Sequence, residues 1–238
     1  GAGRLISADH APSSPVADES YSYDGGESRT SSHLSASYGY LAGPGGTGNR
    51  LVATATHAYT YDGAGRVTSR TELSDGSTWT FGYDHRGRLV SAVKTDAGSA
   101  VTKSIAHVYD PSDNRIKTTE DGVARYIVYD RRNPALVLDA SGAVLVRRLY
   151  GATLDEIYAE DRRGVVRWMM TDAVRTVRDV VGADGLPIRH DAYDSFGIPA
   201  LGVEGVIEEL KFQGRPYDAA TRLYEFRARA YEPLTGRF

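Results

Sequence analysis

The chain has 238 residues and a net charge of -3, with 26 glycines and 16 tyrosines against 2 methionines, 5 phenylalanines and 2 tryptophans; this composition suits short strands and turns better than a helical bundle. With no cysteine and no block of like charge, it excludes a disulfide framework and a thiolate zinc site and shows no footprint of nucleic-acid binding. No apolar run approaches the roughly 18 residues of a membrane-spanning helix.

Residues 1–20 are small, polar and proline-containing, and are expected to be flexible. They lack the apolar stretch of a signal peptide, so an export signal is not expected in this chain. Tyr23-Asp24 opens an early repeat, and Tyr38 and Tyr40 share one face of a strand. The segment "GPGGTGNR" at 43–50 has the outer glycine spacing of a P-loop, Gly43 and Gly48. Asn49 and Arg50 stand where the lysine and hydroxyl belong, so a plain loop is expected.

From residue 61 two turn series interleave. The first is Tyr61-Asp62, Tyr83-Asp84, Tyr109-Asp110, Tyr129-Asp130, Tyr150-Gly151, Thr171-Asp172 and Tyr193-Asp194, with steps of 22, 26, 20, 21, 21 and 22. The second is a glycine, often after Asp: Gly76, Gly98, Gly122, Gly142, Gly164 and Gly185, each roughly midway between members of the first. A catalytic motif is needed once, whereas a motif repeated at constant step is a structural unit. In "TWTFGY", Trp79, Phe81 and Tyr83 alternate with Thr78, Thr80 and Gly82, which puts the aromatics on one face of a strand. Asp75-Gly76 signals a hairpin. In "YDGAGRV", Asp62 is placed to bond its own turn, Gly65 relaxes the backbone and Arg66 opens the next strand in reach of Asp62; "YDHRGRL" repeats this with Asp84, Gly87 and Arg88. The predicted fold is all-β, a repetitive antiparallel β-hairpin ribbon over 21–200 with about two strands per repeat, about 16–18 in all, a width that makes an open sheet curl.

The period breaks at 201–211, where one helical turn is expected. Residues 201–238 form a closing segment, with Tyr217-Asp218 at a turn, Tyr224 to Tyr231 alternating as a strand, and a turn over Pro233–Gly236.

The motifs "YDGAGRV" and "YDHRGRL" resemble the signature of the RHS/YD-repeat family. "YDRRNPALVLDASGAVLVRRLYG", "TDAVRTVRDVVGADGLPIRHDAYDSFG" and "YDAATRLYEFRARAYEPLTGRF" resemble, in order, its RHS repeat-associated core; the resemblance covers roughly 21–238. It implies a β-ribbon spiralling into a hollow shell that encloses a C-terminal toxin. It also implies a secreted or cell-surface protein whose partners are the remaining shell repeats and a toxin cargo or other protein chain. The alternative is a surface adhesion module whose tyrosines bind a glycan. Ala173-Val174-Arg175 and Thr221-Arg222 depart from the family pattern, and an arginine in place of a turn glycine is strained wherever φ is positive. The self-cleaving segment that follows Gly-Arg-Phe in many relatives is not in this sequence, so no protease residues are carried over.

No catalytic residue, metal ligand or cofactor is expected. The six histidines (His10, His33, His57, His85, His107, His190) have no ligand spacing, although repeat stacking would be one way to bring His57 and His107 together. His190, Asp191 and Ser195 lack a nucleophile elbow. Asp62, Asp84, Asp110, Asp130 and Asp194 share one turn position, which points to turn capping rather than to a glycosidase pair.

Overall fold

The computed structural model describes residues 3–41, 49–200 and 208–238. The glycine loop at 43–48 and most of the helical turn expected over 201–211 lie outside them. Two compact units are present, one of Gly1–Tyr83 with Ser91–Ser104, the other of Asp84–Val90 with Ile105–Phe238.

In the first unit β1 (Ser7–Ala8), β2 (Glu19–Tyr23) and β3 (Arg29–Ser32) form a three-stranded sheet. β1 lies in the stretch expected to be flexible and pairs with β2. Next come β4 (Tyr38–Tyr40), β5 (Leu51–Thr54), β6 (His57–Tyr61), β7 (Val67–Glu72), β8 (Thr78–Tyr83) and β9 (Leu89–Thr95), the last divided between the units after Val90, in chain order along their sheet. Trp79 and Phe81 are buried and their rings stack at 6.4 Å, as the alternation requires. At the far end of that hairpin Asp75 Oδ1 accepts the Ser77 N–H at 2.8 Å, and Gly76 takes φ 71°.

β10 (Val101–Tyr109) runs into the second unit. There β11 (Arg115–Glu120), β12 (Val123–Asp130), β13 (Asn133–Leu138), β14 (Val144–Tyr150), β15 (Ile157–Arg162), β16 (Val165–Thr171), β17 (Val177–Gly182) and β18 (Pro187–His190) again follow chain order. All described pairings are antiparallel. A separate four-stranded sheet ends the chain: β19 (Glu209–Leu210), β20 (Pro216–Asp218), β21 (Leu223–Phe226) and β22 (Arg229–Tyr231). The stretch from Tyr224 to Tyr231, read from sequence as one strand, is a hairpin. Arg227 takes φ 59° and reverses the chain, so Tyr224 pairs with Tyr231, and Tyr217 with Tyr224. Three tyrosines thereby line up in one row across three strands.

Leu210 of this closing sheet packs with Ile157, Met169, Val177 and Val180. One face of the β15–β17 ribbon is therefore covered, while Leu149, Trp168 and Ile188 remain exposed.

Candidate functional site

The repeated turn is one device used many times. Asp62 Oδ1 accepts the N–H groups of Ala64 (2.9 Å) and Arg66 (3.0 Å), and its Oδ2 accepts Arg66 Nε at 2.6 Å. Asp84 repeats this with Arg86, Arg88 and Arg88 Nε at 2.9, 3.0 and 2.7 Å. Asp110 does so with Ser112, Asn114 and the Asn114 side-chain amide. Asp172 and Asp194 cap the same two positions of their own turns, and Asp218 caps Ala220 and Thr221. A carboxylate that accepts N–H bonds is stabilised in its charged form. The hydrogen bond from the Arg66 N–H holds Asp62 below its ordinary value. In Asp84 and Asp110 burial pushes the other way, and the hydrogen bonds from Arg88 and Asn114 overcome it. A lowered carboxyl contributes stability above its unfolded pKa and loses it as pH falls, so these turns weaken in strong acid.

In five of these turns the fourth residue has positive φ: Gly65 83°, Gly87 79°, Asp113 67°, Arg175 67° and Gly197 94°. Gly197 is required twice over, because a Cβ there would also meet the Phe212 ring. Arg222, which stands where the family has glycine, does take φ 58° and is exposed. A left-handed arginine is strained. Arg222→Gly is therefore expected to raise stability by up to about 1 kcal/mol, the relief less glycine's own chain-entropy cost; a urea midpoint that does not rise would contradict this.

Two members of the series depart from the expected pattern. Asp130 does not cap a turn: β12 runs through it and it pairs with Asn133 across a two-residue hairpin whose Arg131 has φ 57°. Gly98 is not the positive-φ residue of its turn; Ser99 is, at 68°, because Asp96 starts the same capped loop there and moves the left-handed position one residue on. The midway series thus uses the aspartate turn as well, with Asp139 capping Ser141 and Ala143.

Sequence reading missed what the tyrosines do. The register shifts by one residue at Tyr61, Tyr109, Tyr129 and Tyr150, where the outgoing strand carries the extra residue: Thr68, Ile116, Ala135 and Tyr158. A bulge displaces the ladder and leaves a backbone group without its regular partner. Next to the first three bulges, and likewise at the start of β9, the tyrosine of the following repeat supplies a hydroxyl. Tyr83 donates to the Val67 carbonyl (2.9 Å), Tyr109 to Leu89 (2.9 Å), Tyr129 to Arg115 (3.3 Å) and Tyr150 to Pro134 (3.4 Å). The motif arginine completes the link: Arg66 lies over the Tyr83 ring and Arg88 over the Tyr109 ring, at 5.1 and 4.9 Å. Arg88 also reaches Asp113 Oδ1 at 3.0 Å, and Arg86 reaches Asp113 Oδ2 at 3.0 Å. Tyr, Asp, Gly and Arg therefore form one splice: Asp and Gly shape the turn, while Arg and Tyr join it to the next repeat. Asp84→Ala is expected to cost about 1–2 kcal/mol, because it removes three accepted hydrogen bonds at a largely covered turn. Chemical denaturation checks this, and an unchanged midpoint would refute it.

The closing segment is held differently. Tyr224 is fully buried and donates to the Gly197 carbonyl at 2.7 Å; Tyr231 donates to Phe196 at 2.9 Å. Tyr193 is buried beside Phe212, with Arg178 over its ring. Tyr217 and Tyr224 stand 4.6 Å apart. Beneath them run ion pairs that no local motif announces. Arg115 Nη2 meets both Glu208 (2.7 Å) and Glu225 (2.6 Å). Asp155 meets Arg215 and Arg227, and Lys211 lies between Asp191 and Glu209.

The alternative chemistries find other partners. His190 pairs with Asp179 at 2.7 Å, while Asp191 is engaged by Arg189 and Lys211. His57 pairs with Glu72. His107 bonds Thr118, and burial with the nearby Arg115 charge pushes its pKa down to about 2, which keeps it neutral.

Fold and turns together define a class: a β-ribbon of spliced tyrosine–aspartate repeats. The sequence model of the teneurin YD-shell family matches residues 2–238, and the chain belongs to this family within the wider group of RHS/YD-repeat proteins. No curated protein matches it in sequence. A crystal structure of TcdB2-TccC3-Cdc42 has a similar fold at 14% identity and a TM-score of 0.51, covering 92% of this chain and 14% of that one. TcdB2-TccC3 without its hypervariable C-terminal region (16% identity, TM-score 0.47, coverage 92% and 12%) is also similar. So is the Photorhabdus luminescens Tc holotoxin pore with TccC3-D651A (12%, 0.40, 92% and 16%). The chain thus spans about one seventh of the TcdB2-TccC3-Cdc42 chain it resembles. It is a structural shell segment, and no helix among the described residues is long and apolar enough to cross a membrane.

Proposed function

We propose that this segment is part of a wall that encapsulates a toxin cargo and keeps it from solvent and from other proteins until release. Its role is mechanical rather than catalytic, and its partners are the remaining repeats of the shell and the enclosed chain. It works in a secreted or cell-surface protein. The observation that carries this reading is the splice: within each unit a repeat bonds its neighbour through a tyrosine hydroxyl, and at Tyr83 and Tyr109 through the motif arginine as well, so neighbouring hairpins are fastened together. A loose string of hairpins would open locally and admit water or protease. The aromatic adhesion reading has less support, because the motif tyrosines direct their hydroxyls to neighbouring carbonyls rather than to an open groove.

The test is limited proteolysis of the full gene product that contains this segment. The enclosed region is expected to resist cleavage in the native protein and to become labile when Tyr109→Ala and Asp84→Ala open the wall. Equal lability before and after would overturn the reading. Tyrosine-dependent capture on a glycan array, without protection of any cargo, would favour adhesion instead.

A further inference from the structure

The ion pairs under the closing segment are unequal in charge. Around Asp191 two acids (Asp191, Glu209) meet two bases (Arg189, Lys211). Around Asp155 one acid meets two bases, Arg215 and Arg227. Around Arg115 two acids converge on a single guanidinium nitrogen, with side chains only 7–12% exposed. Glu208 and Glu225 come from the closing segment, whereas Arg115 comes from β11 in the ribbon. Two carboxylates that share one partner out of water repel each other, and this repulsion opposes the charged form.

We propose that Glu225, with Glu208 and Asp218 around Arg115, is a proton-operated latch that docks the closing segment more firmly in mild acid than at neutral pH. The groups facing Glu225 are Arg115 from β11, Glu208 before β19, Arg215 before β20 and Arg227 after β21. Asp218 at the end of β20 faces Arg115 and Glu208. Tyr109 and Tyr129 flank Arg115 from β10 and β12, and Arg148 of β14 donates to the Glu208 carbonyl.

Burial pushes both Glu225 and Asp218 above their ordinary values; the nearby arginines only partly offset it at Glu225, and the Thr221 N–H and Arg115 only partly offset it at Asp218. A carboxyl raised in the docked state contributes its stabilisation fully below the undocked pKa and loses it as pH rises through the docked value. The aspartate turns have the opposite sign, since Asp62, Asp84 and Asp110 are lowered. They fail only when pH falls through the lowered values. The latch therefore works above the ordinary carboxylate range and below the docked-state value, where the ribbon itself stays intact.

The experiment is hydrogen–deuterium exchange of residues 216–231 in the 238-residue chain from pH 5 to pH 8, corrected for intrinsic exchange rates. Protection is expected to fall several-fold over this range, and Glu225→Gln, permanently neutral, is expected to keep it high at pH 8. A flat profile in the unaltered chain, or a fall just as steep in Glu225→Gln, overturns the latch. If Glu225→Gln does not fold, the ¹³C carboxyl titration of Glu225 in the unaltered chain decides. A pKa above the ordinary glutamate value supports the proposal, and one at or below it refutes it.

Discussion

Arg115→Ala is expected to destabilise the chain by about 3–5 kcal/mol, the usual cost of removing one partner of a buried ion pair. The size follows from what stays behind: Glu208 and Glu225, covered by the closing segment and left without the guanidinium that both contact. The Tyr129 bond to the Arg115 backbone carbonyl survives the change, so the loss reports the side chain alone. Urea unfolding at pH 8 measures it. At pH 5 the loss is expected to be smaller, because a protonated carboxyl needs no cation. Adding Glu225→Gln to Arg115→Ala is expected to restore part of the stability at pH 8. A loss below about 1 kcal/mol at pH 8, the size of an exposed pair, would mean that water reaches the cluster.

Tyr224→Ala is expected to cost about as much, 3–5 kcal/mol by comparison with other large aromatic truncations in cores. Tyr224 has no solvent exposure and sits between Tyr217 and Tyr231, with Phe212 and Phe226 packed against them. Its ring also closes the seam to the ribbon through the Gly197 carbonyl. Tyr224→Phe separates the two contributions. It keeps the packing and removes only the hydroxyl, and about 1–2 kcal/mol is expected for the carbonyl left without that donor. Equal losses for Ala and Phe would place the energy in the hydrogen bond and not in the aromatic row.

The repeat was legible in the chain because a hairpin is local. Its strands show alternation, as in Trp79 and Phe81, and its turns need residues within four positions of one another, as Asp62 and Arg66 are. The capping aspartates, the pairing of Asp62 with Arg66 and the strain at Arg222 could all be reasoned from short segments. Three features could not. The bulges opposite Tyr61, Tyr109, Tyr129 and Tyr150 leave no local signal, since one extra residue in a strand looks like any other. The hydroxyls of the repeat tyrosines reach carbonyls up to 20 residues back, and the distance is set by sheet register. Asp130 carries the same dipeptide as its fellows but ends in a two-residue hairpin with Arg131 at φ 57°, whereas Asp110 and Asp172, which also lack a glycine at the fourth place, cap their turns.

Rhythm, strand polarity and turn chemistry were therefore settled by neighbours in sequence, since each depends on backbone geometry and hydrogen bonds within a few residues. Which face the closing sheet covers, and why a guanidinium on β11 lies under glutamates 93 and 110 positions later, was settled by packing alone. An ion pair of that span has no pattern of its own; the apolar seam of Leu210 with Ile157, Met169, Val177 and Val180 seats the closing segment on β15–β17, and charge buried under that segment must find a partner.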